Sequence, residues 1–257
     1  MALLELTSKG LYCEKGGFYI DPYRSVKLAL ITHAHADHAR WGHETYLATP
    51  ETTAFMLSRL GTGAEFKEIQ YGEKRRLGEV TVSFHPAGHV LGSAQIMVDD
   101  GFERWVVTGD YKLQNDGVSQ AYVQLSCDVL ITECTFGLPV YQWKDQSIIM
   151  EEIDLWWKEN SKNKQNSVIF AYSLGKAQRI LGNLKNIHGP IICHGAVENM
   201  NKVHEQMGIK FPKRKILDNK IKKFNLDCAL ILAPPSSQNS TWLRKFRPIK
   251  TAMASGW

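Results

Sequence analysis

The stretch LALITHAHADHARWGHE, residues 28–44, places three histidines and a carboxylate within six positions, at His33, His35, Asp37 and His38. Its apolar beginning predicts a strand that runs straight into this cluster. Side chains alternate along an extended segment, so His33 and His35 point the same way, and Asp37 and His38 follow where the chain must turn. One zinc ion takes about four ligands, but adjacent residues rarely surround one ion tetrahedrally. The spacing therefore favours two neighbouring ions whose remaining ligands come from elsewhere.

Matching donors follow other short β-rich runs. His89 lies in the glycine-flanked loop of HPAGHVLGSAQ, and Asp110 follows a glycine in VVTGDY, where a carboxylate can bridge two metals. Asp21, at the end of FYID, is placed to hydrogen-bond a ligand histidine and fix which ring nitrogen carries the proton. Because a layered α/β scaffold presents its site on loops at strand ends, we expect these residues to meet.

Composition limits the class of protein. The chain has 257 residues, 44% of them hydrophobic and 22% charged, which is typical of globular domains and enough for one large domain or two smaller ones. No apolar run approaches the roughly 18–20 residues of a membrane span, and the first residues lack a signal-peptide pattern. Five dispersed cysteines indicate a reducing compartment rather than a disulfide framework. We therefore expect a cytoplasmic protein that does not enter a membrane.

The pattern of the chain changes near residue 138. The first 137 residues read as short strands and turns, with a hairpin at Gly16–Gly17 and a capped helix in PETTAFMLSRLG. The remainder alternates helical and strand-like segments, which predicts a parallel α/β unit. The sequence therefore predicts one domain over residues 1–137 and a second over residues 138–257.

Positive charge is concentrated near the end of the chain. Residues 201–257 hold 12 Lys and Arg against 3 Asp and Glu, a balance of +9, whereas residues 1–200 have a balance of −4. A polyanion is the natural partner of such a segment, although a solvated charged face explains the same numbers. The candidate nucleic-acid contacts are Gly175 and Lys176, where SLGKAQ begins a helix, the basic stretch of Lys213, Arg214, Lys215, Lys220, Lys222 and Lys223, and Arg244 and Arg247 around Trp242 and Phe246.

The motif His33-x-His35-x-Asp37-His38, followed by His89 and Asp110, resembles the metallo-β-lactamase superfamily. ITECTFG, which contains Glu133, resembles the first signature of its β-CASP branch of nucleic-acid-processing nucleases. AYSLGKAQRIL and ICHGAVE resemble segments of bacterial ligase-associated DNA exonucleases. The similarity extends over nearly the whole chain.

The resemblance implies an αββα sandwich with an inserted β-CASP-like α/β domain and two divalent ions, Zn²⁺ with Mn²⁺ as the alternative. It assigns His33, His35 and His89 to one ion and Asp37 and His38 to the other, with Asp110 as the bridge. Glu133 would help to manage protons, so the catalytic carboxylates would be Asp37, Asp110 and Glu133. Family members carry one further histidine, in a Ser-x-His-x-Asp segment after a stretch like Ser255–Gly256–Trp257. We expect the chain to lack this segment and the closing part of the sandwich.

The implied activity is that of a metal-dependent phosphodiesterase, a DNA exonuclease of DNA repair that uses metal-activated hydroxide and works with DNA ligase and other repair proteins. RNA processing is the nearest alternative, because the β-CASP branch handles both nucleic acids. A small-molecule metallo-hydrolase and a catalytically silent nucleic-acid-binding subunit are the other readings. The basic final segment and the Glu133 signature argue against the former. The intact histidine cluster argues against the latter, whereas the missing last histidine argues for it.

Overall fold

The computed structural model describes residues 2–215, 217 and 226–255. It contains two compact units, residues 1–135 (unit 1) and residues 136–257 (unit 2). Lys220, Lys222, Lys223, Gly256 and Trp257, which the sequence analysis named, lie outside the described residues. Among the described residues, none of the helices is both long enough and apolar enough to cross a bilayer.

The first sheet of unit 1 has six strands in chain order: β1 (Glu5–Thr7), β2 (Gly10–Cys13), β3 (Phe18–Ile20), β4 (Leu28–Leu30), β5 (Thr45–Ala48) and β6 (Glu65–Glu68). Strands β2 and β3 form the predicted hairpin, and the pairings from β3 to β6 are parallel. The helix α1 (Pro50–Leu60) connects β5 to β6, and it ends before Gly61 as predicted. Thr49 Oγ1 caps it by accepting a hydrogen bond from the Thr52 amide.

The second sheet of unit 1 contains β7 (Lys74–Leu77), β8 (Val80–Pro86), β9 (Ala94–Asp99), β10 (Arg104–Val107) and β11 (Val129–Ile131), in the spatial order β11-β10-β9-β8-β7. Strands β7 to β10 pair antiparallel, and β11 pairs parallel with β10. Strands β8, β10 and β11 therefore point the same way, and their carboxyl ends lie along one edge of this sheet.

The two sheets of unit 1 share one hydrophobic core. Phe18, Leu30 and Leu47 of the first sheet and Phe84 and Ile96 of the second belong to the same cluster of fully or almost fully buried side chains. Alternation along each strand supplies these apolar faces. The Ala94 amide donates a 2.8 Å hydrogen bond to the Thr32 carbonyl, so the sheets are also joined through their backbones next to the histidine cluster.

Unit 2 is built on a parallel sheet, as the alternating pattern predicted. Its strands are β12 (Asn166–Phe170), β13 (Ile191–Cys193), β14 (Leu230–Ala233) and β15 (Ile249–Met253), in the spatial order β13-β14-β12-β15. Its helices are α2 (Gln146–Lys162), α3 (Lys176–Gly182), α4 (Gly195–Gln206) and α5 (Thr241–Arg244). One core packs α2, α3 and α4 against Ile169, and a second packs α5 against Val168. Both faces of the sheet are thus covered, as is usual for parallel sheets.

Candidate metal centre

The candidate residues of unit 1 follow strands that end together. Asp21 follows β3, and Thr32 and His33 follow β4, the parallel neighbour of β3. In the second sheet, His89 follows β8 and Asp110 follows β10. The order of strands therefore brings together residues that are up to 89 positions apart in the chain.

Four side chains converge on one point: His33, His35, His89 and Asp110 each offer a donor atom, and these atoms lie within 4.8 Å of one another. His35 Nδ1 lies 3.0 Å from His33 Nε2 and 3.2 Å from His89 Nε2. Asp110 Oδ2 lies 3.8 Å from His33 Nε2 and 3.6 Å from His89 Nε2. The structure thus brings together the three histidines and the carboxylate that the sequence singled out.

These separations fit a divalent transition metal. Two ligands about 2.0–2.1 Å from a tetrahedral zinc ion lie about 3.4 Å apart, and the distances above are centred on that value. Three imidazole nitrogens and one carboxylate oxygen also match the donor types that zinc accepts in proteins. The four residues therefore fit an ion of this class.

Asp110 faces two directions. While its Oδ2 points at the three-histidine group, its Oδ1 lies 3.4 Å from His38 Nε2, which is in turn 3.8 Å from Asp37 Oδ2. One carboxylate that presents an oxygen to each of two neighbouring donor groups has the geometry of a bridging ligand. The Asp37 side chain is 72% exposed and marks the side open to solvent, whereas His33 is fully buried on the opposite side.

Asp21 holds His38 by the ring nitrogen that faces away from Asp110. Its Oδ2 lies 2.7 Å from His38 Nδ1, which is the role of a supporting carboxylate that the sequence suggested. Burial disfavours the charged ring of His38, but the carboxylates of Asp110 and Asp21 outweigh burial and raise its pKa to about 10. Without a metal ion, His38 therefore keeps its proton at neutral pH.

The sequence analysis did not single out Thr32, yet the hydroxyl of this residue determines which ring nitrogen of His33 carries the proton. Its hydroxyl donates to Asp21 Oδ2 at 2.5 Å, because a carboxylate can only accept. The same oxygen lies 3.1 Å from His33 Nδ1, so it accepts the proton of that nitrogen. Burial, followed by the neighbouring His35, His38 and His89, lowers the pKa of His33 well below its usual range. The ring is therefore neutral, and its Nε2 lone pair faces the donor group.

Gly109 makes room for this arrangement. Its backbone has φ +55°, which favours glycine, and a Cβ there would lie 2.6 Å from Thr32 Cβ and Oγ1. The glycine that precedes Asp110 thus lets β10 end against Thr32. A glycine between a strand and a motif aspartate was the signal in the sequence for this close approach.

Glu133 follows β11, the parallel neighbour of the strand that leads to Asp110. Its carboxylate accepts a 2.9 Å hydrogen bond from the Thr135 amide. The strand pairing places Glu133 at the same sheet edge as Asp110, although its hydrogen bond is directed along its own loop.

The candidate nucleic-acid contacts of unit 2 differ in their exposure and in the protein groups that they already bind. The Gly175 amide donates to Gln178 Oε1, and α3 has only seven residues, so Gly175 and Lys176 do not form an open phosphate-binding helix start. Arg214 binds the carboxylates of Glu198 and Glu205, and its side chain is only 9% exposed. It is thus a buried ion-pair partner rather than a free cation.

The other cations of this set are on the surface: Lys213, Lys215, Arg244 and Arg247 are exposed. The two aromatic residues near them are not a free stacking platform. Phe246 is fully buried, and Trp242 packs edge-on against Phe246 and His194. Phe246 is therefore unavailable for stacking and Trp242 is partly covered, so Lys213, Lys215, Arg244 and Arg247 are the groups of this set, within the described part of the chain, that are open to a polyanion.

Comparison with known proteins finds similarity to curated proteins named as a probable DNA ligase, an RNase J-like protein and a cleavage and polyadenylation factor subunit. No family model matches it. It is 30% identical over 252 residues to a probable DNA ligase of Opitutus terrae, a match that covers 97% of this chain and 24% of the relative. It is 25% identical over 238 residues to an RNase J-like protein of Methanocaldococcus jannaschii, covering 78% of this chain and 55% of that protein. Cleavage and polyadenylation specificity factor subunit 3 of Dictyostelium discoideum is 28% identical over 123 residues, 46% of this chain and 15% of that protein. The chain thus spans about a quarter of the length of the first relative and about half of the length of the second.

The role of Thr32 can be tested with two substitutions of similar size. Thr32→Val removes the hydroxyl and frees the His33 ring, so we expect a 10- to 100-fold weaker affinity for Zn²⁺, the usual effect of losing a support behind a metal ligand. Thr32→Ser keeps the hydroxyl and should bind within a few-fold of wild type, an estimate on the same basis. Competition with a chromophoric chelator measures the affinity, and thermal unfolding of both metal-free variants reports their folding. Equal affinity of Thr32→Val and wild type would contradict this role.

The raised pKa of His38 predicts proton release on metal binding. At pH 7 the ring is protonated, and coordination through Nε2 requires the neutral form, so binding releases about one proton from this residue. The release should persist below pH 10 and disappear as pH rises through about 10. Calorimetric titration in buffers of different ionisation enthalpy measures the proton count. His38→Gln should release about one proton fewer than wild type; an unchanged count would rule out His38 as the source.

Proposed function

Because the chain belongs to the β-CASP-like branch of the metallo-β-lactamase superfamily, we propose that it forms the catalytic part of a metal-dependent phosphodiesterase, a DNA exonuclease that acts in DNA repair. The observation that carries this proposal is the convergence of His33, His35, His89 and Asp110 on one point, with the second oxygen of Asp110 directed at His38. This proposal assigns an αββα sandwich to residues 1–137 and a β-CASP-like domain to residues 138–257.

The residues would hold two divalent ions, Zn²⁺ or alternatively Mn²⁺. His33, His35 and His89 would hold one, His38 and Asp37 the other, and Asp110 would bridge them. Such ions lower the pKa of water to about 7 and stabilise the negative charge of a phosphate under attack. Six ligands, of which only two are carboxylates, would leave the pair of ions strongly positive, which suits an anionic substrate.

The protein's own groups orient the donors and move protons. Asp21 and Thr32 fix the rings of His38 and His33, so that the Nε2 atom of each ring faces Asp110. The exposed Asp37 carboxylate is placed to accept the proton of the attacking water, since it lies on the open side. Glu133, at the end of the strand beside β10, would help to pass this proton on to the leaving oxygen.

Two observations bear on the choice between DNA and RNA. The relative named a probable DNA ligase matches nearly the whole chain, which supports a DNA substrate and a partnership with DNA ligase and other repair proteins. The relative named RNase J-like protein supports RNA processing as the second candidate. Labelled single-stranded and double-stranded DNA and RNA, assayed side by side, separate the two.

Removal of a central ligand tests the site. Asp110→Ala and His35→Ala should each bind less Zn²⁺ and cleave at below about 1% of the wild-type rate, because the ions lose a shared or central ligand. Metal content by elemental analysis and turnover of labelled DNA measure both effects.

His85→Ala is the matched control for this test. His85 is a partly buried histidine of β8 that contacts Ser83 rather than the donor group, so its loss should leave both quantities close to wild type. Wild-type turnover in either ligand variant would overturn the assignment of the site. Cleavage of none of the four nucleic acids by the metal-loaded wild type would overturn the proposed function.

The contribution of the basic surface can be separated from folding. Lys213→Ala with Lys215→Ala should weaken binding and reduce the slope of log K against log salt by about 1.4 if both lysines contact phosphates of a single strand. Arg214→Ala should instead lower the stability of unit 2, because it leaves Glu198 and Glu205 without their cation. Fluorescence anisotropy at several salt concentrations and thermal unfolding measure the two effects. An unchanged salt slope would remove the lysines from the binding surface.

A further inference from the structure

Four exposed side chains lie on the loops that follow β3 and β4, the loops that also carry Asp21 and the His33–His38 cluster. Trp41 is 64% and Tyr23 46% exposed, and Arg24 and Arg40 are also exposed. We name these four residues the aromatic rim. Trp41 comes three residues after His38, and Tyr23 two residues after Asp21, so the rim is continuous in the chain with the groups that surround the donors.

The backbone of the rim is fixed although its side chains are open. Gly42 has φ +92°, and a Cβ there would lie 2.6 Å from Ser25 Oγ, so the two loops touch beside Trp41 and Arg24. The Tyr46 hydroxyl donates to the Arg40 carbonyl at 2.6 Å, and the Tyr23 amide donates to the Lys9 carbonyl at 2.9 Å. Large rings on a rigid backbone lose little conformational freedom when they bind a partner.

The charge of the aromatic rim is opposite in sign to the net charge of unit 1. Unit 1 holds 12 Lys and Arg against 17 Asp and Glu, a balance of −5, yet both charged members of the rim are arginines. Arg40 is also linked to the donor loop, since its Nε donates to the Asp37 carbonyl at 3.0 Å. Arginines beside exposed aromatic rings are the combination that binds unpaired nucleotides, because rings stack on bases and guanidinium groups pair with phosphates.

We propose that the aromatic rim binds an unpaired strand of nucleic acid and leads it to the metal donors, with Trp41 and Tyr23 stacking on bases and Arg24 and Arg40 contacting phosphates. This inference rests on the proposed function and specifies the form of its substrate. In a duplex the faces of the bases are covered by their neighbours, so the rim selects single strands and frayed ends over intact duplex.

The experiment measures binding separately from cleavage. A fluorescein-labelled oligothymidine is titrated with the full chain in the presence of a chelator, which prevents cleavage, and a duplex of the same length is titrated in parallel. Trp41→Ala and Tyr23→Ala should each weaken single-strand binding by about 5- to 150-fold, the range for loss of one stacked base, and should change duplex binding much less. Trp41→Phe keeps a ring and should retain most of the affinity. Arg24→Ala should reduce the salt slope by about 0.7.

Phe102→Ala is the matched control. Phe102 is 93% exposed on the turn between β9 and β10, at the opposite end of β10 from Asp110, so its loss should leave binding unchanged. Circular dichroism confirms that the variants fold. Wild-type affinity of Trp41→Ala and Tyr23→Ala, or equal losses for Phe102→Ala, would overturn the proposal, as would failure of the wild type to bind the single strand.

Failure of the rim and failure of the proposed function give different results. If the metal-loaded wild type cleaves DNA but the rim variants bind and cleave normally, the proposed role of the aromatic rim is wrong and the proposed function stands. If the rim variants lose binding but the wild type cleaves none of the four nucleic acids, the rim stands as a binding surface and the phosphodiesterase assignment fails.

Discussion

The hydrogen bonds of Thr32 connect several parts of the candidate metal centre. Its amide and hydroxyl both bind the Asp21 carboxylate, its hydroxyl oxygen accepts from His33, and its carbonyl accepts from the Ala94 amide of the second sheet. Gly109 packs against its side chain and brings Asp110 into place. One small residue thus joins two sheets and three candidate ligand positions. Its replacement by a residue without a hydroxyl leaves buried polar groups unpaired, which is costly in a low-dielectric site.

The distribution of charge complements this centre. Imidazoles, which bind a cation in their neutral form, outnumber carboxylates among the donors, so bound cations would keep most of their positive charge and attract phosphate. The cations expected to hold a polyanion lie elsewhere, on the surface of unit 2 and on the aromatic rim of unit 1. Within unit 2, Arg214 is neutralised by two carboxylates, which leaves Lys213 and Lys215 as the exposed charges among the described residues of that basic stretch. Net charge alone therefore overstates the cations that can meet a ligand.

Much of the fold could be predicted because its signals are local. Strand alternation, the hairpin before Phe18, the capped helix at Pro50 and the alternation of strands and helices after residue 138 are all found in the structure. The signals that failed depend on partners distant in the chain. The sequence suggests that Arg214 is an exposed cation, because its carboxylate partner Glu198 is distant in the chain. It also suggests that Phe246 can stack on a base, whereas the structure buries this ring completely.

The sequence by itself determined the kind of centre, since three histidines and their aspartates at strand ends state the donor chemistry and its approximate location. Only the tertiary structure decided how each donor is used: which nitrogen of His33 is free, which oxygen of Asp110 faces which histidine, and which carboxylates stabilise the protonated ring of His38. The physical reason is the separation along the chain of the residues that set each property. Residue type and periodicity are properties of neighbouring positions, whereas a tautomer or a bridging geometry is set by atoms within about 3 Å that belong to strands far apart in the chain.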